Sequence, residues 1–323
     1  MKCKALLLLA IVSLTAFPLQ AKADVVLGTA GNFAVLGGST VTNTGATLIS
    51  GGDVGVSPGT AITGFLAIDS GPGIIMAPFT THTGADAVAV LAHNDLITAF
   101  NASQALPFLP ANNLSGQGLG GLTLLPGVYH FNTSASLSGT LSLDKMGDPN
   151  AEFVFQIGTT LTTTSNSSVI TINGGLQPGS SVFWQVGTSA TLGTNTAFQG
   201  HILADQSITL TTGASILNGS ALAAHAGVTL DTNRVTNPGT ALPGDYNHNG
   251  IVDAADYVVW RKNPSTHGGT PAGYNTWRAN FGQPLGSGSG TAGTFNVAVP
   301  EPTAGFLLLS TVAGFSFLRR RTA

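Results

Sequence analysis

The densest set of residues able to do chemistry lies near the C-terminus. Asp245, Asn247, Asn249, Asp253 and Asp256 place side-chain oxygens at positions 1, 3, 5, 9 and 12 of one segment. Gly250 stands at position 6, where the chain must turn sharply, and Ile251 at position 7 offers its backbone carbonyl. Hard oxygen donors in that order suit calcium. The competing reading is an Asx-rich turn that caps a helix from Ala254 to Lys262. Elsewhere the acid–base groups stand apart. Asp205 and Asp231 have no evident partner, and His201 and His225 lack metal-ligand spacing. No nucleophile elbow or phosphate loop occurs, so the chain reads as non-catalytic.

The remaining chemistry is carried by threonine, and a repeat positions it. Gly200 and Gly219 lie 19 residues apart, as do Ala204 and Ala223. Phe153–Gly158 matches Val182–Gly187 across an insertion. A period near 20 with a turn signal in each copy and no helical spacing is what stacked β-coils produce. Each coil has an inward apolar row that only its neighbours can bury. Aligning the copies on Leu161, Leu192, Leu210 and Leu230 puts Thr160, Thr191, Thr209 and Thr229 in one column. Thr163, Thr194, Thr212 and Thr232 fall in another. Stacked at the inter-strand spacing of about 4.7–4.9 Å, such ladders either form a surface or simply stabilise the coils.

Composition agrees with this reading. Charged residues are 8% of the chain, against about 25% in an average soluble domain. Apolar residues reach 43%, which argues against disorder, and Gly numbers 43 of 323. Between Asp24 and Gly244 the only basic side chains are Lys145 and Arg234, so no groove could track phosphates and nucleic acid is not expected as a partner. The segment from Thr83 to Leu106 breaks the strand pattern. It is Ala-rich, and Val88, Leu91, Ala92, Leu96, Ala99, Phe100 and Leu106 share one helical stripe with Ser103. Thr83 and Asp86 resemble a capping box, and Pro107 ends the helix. One long helix over about 83–106 is therefore predicted alongside the coils, with His93 on its surface.

The two ends read as addresses. Residues 1–23 have Lys2 and Lys4, an apolar run from Ala5 to Leu14 and the small-x-small site Ala21-Lys22-Ala23, the pattern of a secretory signal peptide. Cleavage there removes Cys3, the only cysteine. Residues 284–298 form a Gly/Ser-rich linker. Residues 299–323 carry Val299, Pro300, Glu301 and Pro302, an apolar stretch, then Arg319, Arg320 and Arg321, which mark a cytoplasmic end.

Several ordered motifs are similar to a known family. Leu27–Thr47, Gly55–Gly59, Gly121–Tyr129, Gly147–Gly158 and Val182–Gly187 together resemble the bacterial and fungal ice-binding-like domain family over about Asp24 to Asn237. The resemblance implies a mainly β domain over 24–240, a discontinuous right-handed β-solenoid of triangular section with the helix packed alongside. It also implies adsorption to an ice crystal surface through one flat face. The family's face carries a loose pattern of Thr, Ala or Gly, any residue, then Thr or Asn. Carried onto this sequence, the pattern selects Thr44 and Thr47, Thr60 and Thr63, Thr163 and Asn166, Thr194, Thr212 and Ser215, and Thr232. Arg234 departs from it, a long cation where flatness is wanted.

The calcium loop resembles that of a dockerin, with Asp at position 12; no second acidic set follows in Thr270–Gly282. Residues 244–283 are therefore expected to form a small helical module, stapled by structural calcium, with Trp260, Trp277 and Phe281 as its core. The tail resembles the Pro-Glu-Pro sorting signal of Gram-negative bacteria. That implies transient inner-membrane anchoring, cutting by an exosortase-type protease and delivery to the cell surface or extracellular matrix. The second functional reading is a structural or adhesive protein of that matrix, with polysaccharide as partner.

Overall fold

The computed structural model describes residues 25–148, 150–174, 181–237, 244, 246 and 252–282. The signal peptide, the linker, the sorting tail and Asp245, Asn247, Asn249 and Ile251 lie outside the described residues.

Alternating short strands and turns build three parallel sheets of eight, seven and eight strands, here sheets A, B and C. Each coil of chain adds one strand to each sheet. The repeat supplies five such coils. Their sheet B strands are Ala135–Leu137, Leu161–Thr163, Ala190–Leu192, Ile208–Leu210 and Val228–Leu230. Two N-terminal coils add Thr40–Asn43 and Ala61–Thr63 to the same sheet. The stacking order departs from chain order. The first N-terminal coil sits on the last repeat coil, pairing Val35 with Ala221, Val41 with Val228 and Leu48 with Arg234. Stacking order and chain order thus differ, and the long helix α2 (Ala87–Ala105) lies in sequence between the two stretches.

Inward residues of all three sheets form one core. It includes a run of rings: Tyr129 over Phe155 at 5.4 Å, Phe155 over Trp184 at 3.9 Å, and Trp184 against Phe198 at 4.9 Å. At the corners between sheets C and A, Gly200 and Gly219 recur because adjacent backbones touch there. A Cβ on Gly219 would overlap the Gly200 carbonyl oxygen.

A short turn of helix α1 (Leu66–Asp69) belongs to the N-terminal cap; helix α2 (Ala87–Ala105) is the long one. Its start differs from expectation. Thr83 ends a sheet A strand opposite Val56, so the cap falls to Asp86, whose carboxylate accepts from the Val88 amide at 2.9 Å. The buried stripe is Ala89, Ala92, Leu96, Ala99 and Ser103, whereas Val88 and Leu91 are 42% and 55% exposed. Small residues face the sheet because they let the helix lie close upon it. It covers Phe33, Leu36, Val128, Val154, Phe183, Leu203 and Leu222 of sheet A. Gln156 of that sheet donates through Nε2 to the carbonyls of Ser103 and Leu106 at 2.9 and 2.7 Å, satisfying the end of the helix. His93, expected at the surface, is half-buried and its Nε2 lies 2.7 Å from the Ala224 carbonyl.

Helices α3 (Ala254–Lys262) and α4 (Ala272–Asn280) follow. Trp260 and Trp277 are buried between them, with Phe281 against Trp277 as expected; Tyr257 and Tyr274 complete the ring cluster. No helix among the described residues is long and apolar enough to cross a membrane.

Candidate binding face

Sheet A is covered by helix α2, so the regular outward surface is that of sheet B. Its strands alternate strictly, as in Ala190-Thr191-Leu192, Ile208-Thr209-Leu210 and Val228-Thr229-Leu230. The flanking residues are buried and the middle one points out. Register places Ser136, Thr162, Thr191, Thr209, Thr229, Thr42 and Thr63 one above another, seven hydroxyls in seven consecutive coils. No member of this column is charged. The column on one side runs Ser134, Thr160, Ser189, Ser207, Gly227, Thr40 and Ala61. Within it the Ser207 hydroxyl donates to Ser189 Oγ at 3.0 Å. Just beyond the strand ends, Thr164, Gly193, Thr211, Asp231 and Thr44 form the column on the other side. β-branched residues in a parallel sheet have few rotamers, so the central column is rigid.

The predicted site residues divide between this face and its border. Thr63 is a step of the central column, Thr44 belongs to the flanking one, and Thr60 is exposed just ahead of Ala61–Thr63. Thr194, Thr212 and Thr232 are exposed, but in the turns between sheets B and C, as is Asn166, which takes φ +61° there. Ser215 opens a sheet C strand. Thr47 and Thr163 are only 1% and 3% exposed and present no hydroxyl outward. Thr47 Oγ1 accepts from the Asn233 amide, and Thr163 Oγ1 lies 2.8 Å from Thr196 Oγ1.

The alignment on Leu161 was off by two residues in that coil. Leu161 pairs with Ala190, not Leu192, and Thr162 pairs with Thr191. Thr163 thus takes the inward place that Leu192 and Leu210 fill, and Thr160 moves to the flanking column. Arg234 opens the sheet C strand Arg234–Thr236, away from the face whose flatness it threatened. Ser136, Thr162 and Thr42 were missed, and Thr191, Thr209 and Thr229, aligned by the repeat, were not among the residues selected for the face. The signal that finds them is the outward hydroxyl between two inward residues, not a four-residue pattern that runs into the turns.

The titratable groups serve structure. His201 is buried beneath helix α2, with Nδ1 2.8 Å from Ser220 Oγ, and burial pushes its imidazole down to about 4. Asp205, with no evident partner in the sequence, meets His225 at 3.1 Å. Asp231 accepts from the hydroxyls of Thr212 and Thr232 at the border of sheet B. Of the calcium loop, Asp253 and Asp256 are described, and they form a capping box on α3. The Asp256 carboxylate accepts from the Asp253 amide at 2.8 Å and is fully buried. Among the described residues no group of three or more His, Cys, Asp or Glu side chains is arranged to hold a metal ion; His82, between Asp53 at 3.6 Å and Asp86 at 2.6 Å, joins a sheet A strand to the start of α2.

The stacked parallel strands thus present a repeating surface whose central hydroxyl column is uninterrupted and uncharged. Residues 35–236 match the Ice-binding-like family, and the chain belongs to that family. It is 53% identical over 233 residues to an ice-binding protein of Nostoc sp. (strain HG1), covering 72% of this chain and 81% of that one. The crystal structure of an ice-binding protein from an Antarctic biological consortium superposes with a TM-score of 0.60 at 44% identity, covering 69% of this chain and 96% of that one. That of an ice-binding protein from the Antarctic ascomycete Antarctomyces psychrotrophicus gives 0.58 at 42% identity, covering 66% and 97%.

Proposed function

We propose that the protein adsorbs to ice through the outer face of sheet B. The observation that carries this reading is the seven-step column from Ser136 to Thr63. Ice is a repeating solid, so its binder needs a repeating surface whose groups need not be ordered on contact. Each Thr offers a hydroxyl to hold a water and a methyl to order the waters beside it, on a stiff stem. No charge within the column competes for hydration, and Asp231 beside it is engaged by the hydroxyls of Thr212 and Thr232. The three sheets support a right-handed solenoid of triangular section, a form in which one side can stay flat.

The test is thermal hysteresis and ice-recrystallisation inhibition on the purified protein and on Thr209→Tyr. Crystal shaping that disappears in Thr209→Tyr is the expected result. Thr212→Tyr, in the border turn, is expected to lose less. A folded protein without activity would sink the proposal and leave matrix adhesion as the account, a reading that the sorting tail favours.

The signal peptide supports export, and the tail supports exosortase processing and a Gram-negative surface location. Calcium fits the loop by donor chemistry: Asp245, Asn247, Asn249, Asp253, Asp256 and the Ile251 carbonyl are all hard oxygen ligands. Bound there, it would supply structural cross-linking and no chemistry. Chelation is expected to expose Trp260 and Trp277 and red-shift their fluorescence; an unchanged spectrum on calcium removal would refute the site.

A further inference from the structure

The hydroxyl column of sheet B is assembled from two stretches of chain. Ser136 to Thr229 come from the repeat coils, and Thr42 and Thr63 from the coils that precede helix α2. The two stretches meet once in this sheet, where Thr229 faces Thr42. Backbone pairing does not by itself choose that register. A slip of two residues keeps the same alternation and brings Thr40 or Thr44 opposite Thr229, both of them also threonine. Something else must fix the seam.

Two buried asparagines of the last repeat coil bracket its sheet C strand, Arg234–Thr236, at this seam. Asn233 is 3% exposed, and each of its side-chain and backbone polar atoms is hydrogen-bonded. Its Nδ2 donates to the carbonyls of Thr211 and Ala214 at 2.8 and 2.9 Å, anchoring it to the coil below. Its Oδ1 accepts from the Asp231 amide at 2.6 Å. Its own amide donates to Thr47 Oγ1 of the first N-terminal coil at 3.0 Å, and the Leu48 amide donates to its carbonyl at 2.8 Å. Asn237, 2% exposed, donates through Nδ2 to the carbonyls of Gly31 and Phe33 at 2.8 and 2.9 Å, and its amide reaches the Ser50 carbonyl at 3.0 Å. At the place of Asn233 the other repeat coils carry Gly139, Ser167, Thr196 and Ala214. The Asn233 side chain holds its own backbone amide and carbonyl in place from within the repeat, and those two groups cross the seam; the Asn237 side chain crosses it directly. Displacing either asparagine would strand buried polar groups.

We infer that Asn233 and Asn237 are positioning residues that set the register between the two stretches, so that one binding column is built from both. The inference rests on sheet B being the ice face, and the experiment separates the two. Thermal hysteresis of the full protein is compared with that of the doubly substituted Asn233→Ala, Asn237→Ala chain, each with and without Thr42→Tyr or Thr191→Tyr. The double substitution is expected to lower hysteresis to the level that Thr42→Tyr alone leaves. Adding Thr42→Tyr should then cost nothing further, while adding Thr191→Tyr removes the remainder. A merely destabilising role would not make the Thr42 effect vanish. Native hysteresis in the double variant, or an undiminished Thr42→Tyr effect within it, would overturn the inference. If Thr191→Tyr is silent in the unaltered protein, it is the face reading that fails. Should the double variant not fold, amide exchange of the unaltered protein decides. Leu48 and Asn237, which bond across the seam, should exchange as slowly as Ala197 and Ser215 within the repeat; a seam that opens first overturns the clamp.

Discussion

Sheets A and B are built by the same coils and close over the same core, yet their outer faces could hardly differ more. The outward side chains of sheet A change from coil to coil, from Val128, Val154 and Phe183 to His201 and Ser220, and helix α2 lies over them. Those of sheet B keep one chemistry through seven coils, and no described element covers them. A covered face is selected for filling space against a single helix, so each coil solves its own packing problem. An open face that repeats has no packing reason to do so, because exposed threonines gain little from burial. Sheet C sharpens the contrast: it is also largely open, but its outward row runs Thr140, Ser168, Ala197, Ser215, Arg234 and Leu48, with no constant chemistry.

If both faces depend on one core, truncating it should erase their difference. Trp184→Ala removes the ring stacked between Phe155 and Phe198 and the Nε1 donor to the Gln199 carbonyl. We expect a loss of about 3–5 kcal/mol in equilibrium unfolding. Ice activity should follow the folded fraction alone. A variant fully folded but inactive would show that the face is tuned separately from the core.

Acid should act on sheet A and leave sheet B alone. His201, beneath the helix, is pushed from 6.5 down to about 4 by burial, so the unfolded chain binds its proton first. Stability therefore rises with pH across this window and is lost as pH falls from about 6.5 toward 4, by at most about 3 kcal/mol. Denaturant midpoints measured from pH 7 to pH 4 should fall, and His201→Gln should flatten the trend. The central column of sheet B has no titratable group, so hysteresis per folded molecule should stay constant over the same range. A weaker effect is expected where sheet A meets the end of the helix. Gln156→Ala frees the carbonyls of Ser103 and Leu106, at about 1–3 kcal/mol, and is read by faster amide exchange in α2.

The same contrast explains what could be read in advance. The coil stack was legible because Gly200 and Gly219 recur 19 residues apart and Phe153–Gly158 is a second copy of Val182–Gly187, whereas its discontinuity was implied only by the family resemblance. The helix was legible from its Ala-rich run without Pro, with Gly only at its start, but its first turn was not: Thr83 is a plausible cap by type, and only the sheet partner Val56 takes it away. The face was misread for a related reason. Thr is common in columns, turns and core alike, so residue type cannot tell Thr163, pointing inward, from Thr162, pointing outward. That choice is made by pairing between coils about 30 residues apart, where an insertion hides a two-residue offset.

The smallest expected effect on stability is the most direct measure of what sheet B is for. Thr191→Val keeps the β-branched shape and one methyl while removing a single hydroxyl from the centre of the column. An exposed substitution of this kind should shift unfolding by no more than about 0.5 kcal/mol. If the hydroxyls hold the first ice-like waters, hysteresis should nevertheless fall clearly. The matched change on sheet C, Ser142→Val, should alter neither quantity, since its neighbours Thr123 and Ile170 form no repeating column. Equal behaviour of the two variants would mean that shape and methyl groups alone organise water on sheet B, and that the difference between the faces lies in flatness rather than in hydrogen bonding. An activity loss confined to Thr191→Val would place the hydroxyl lattice itself at the contact with ice.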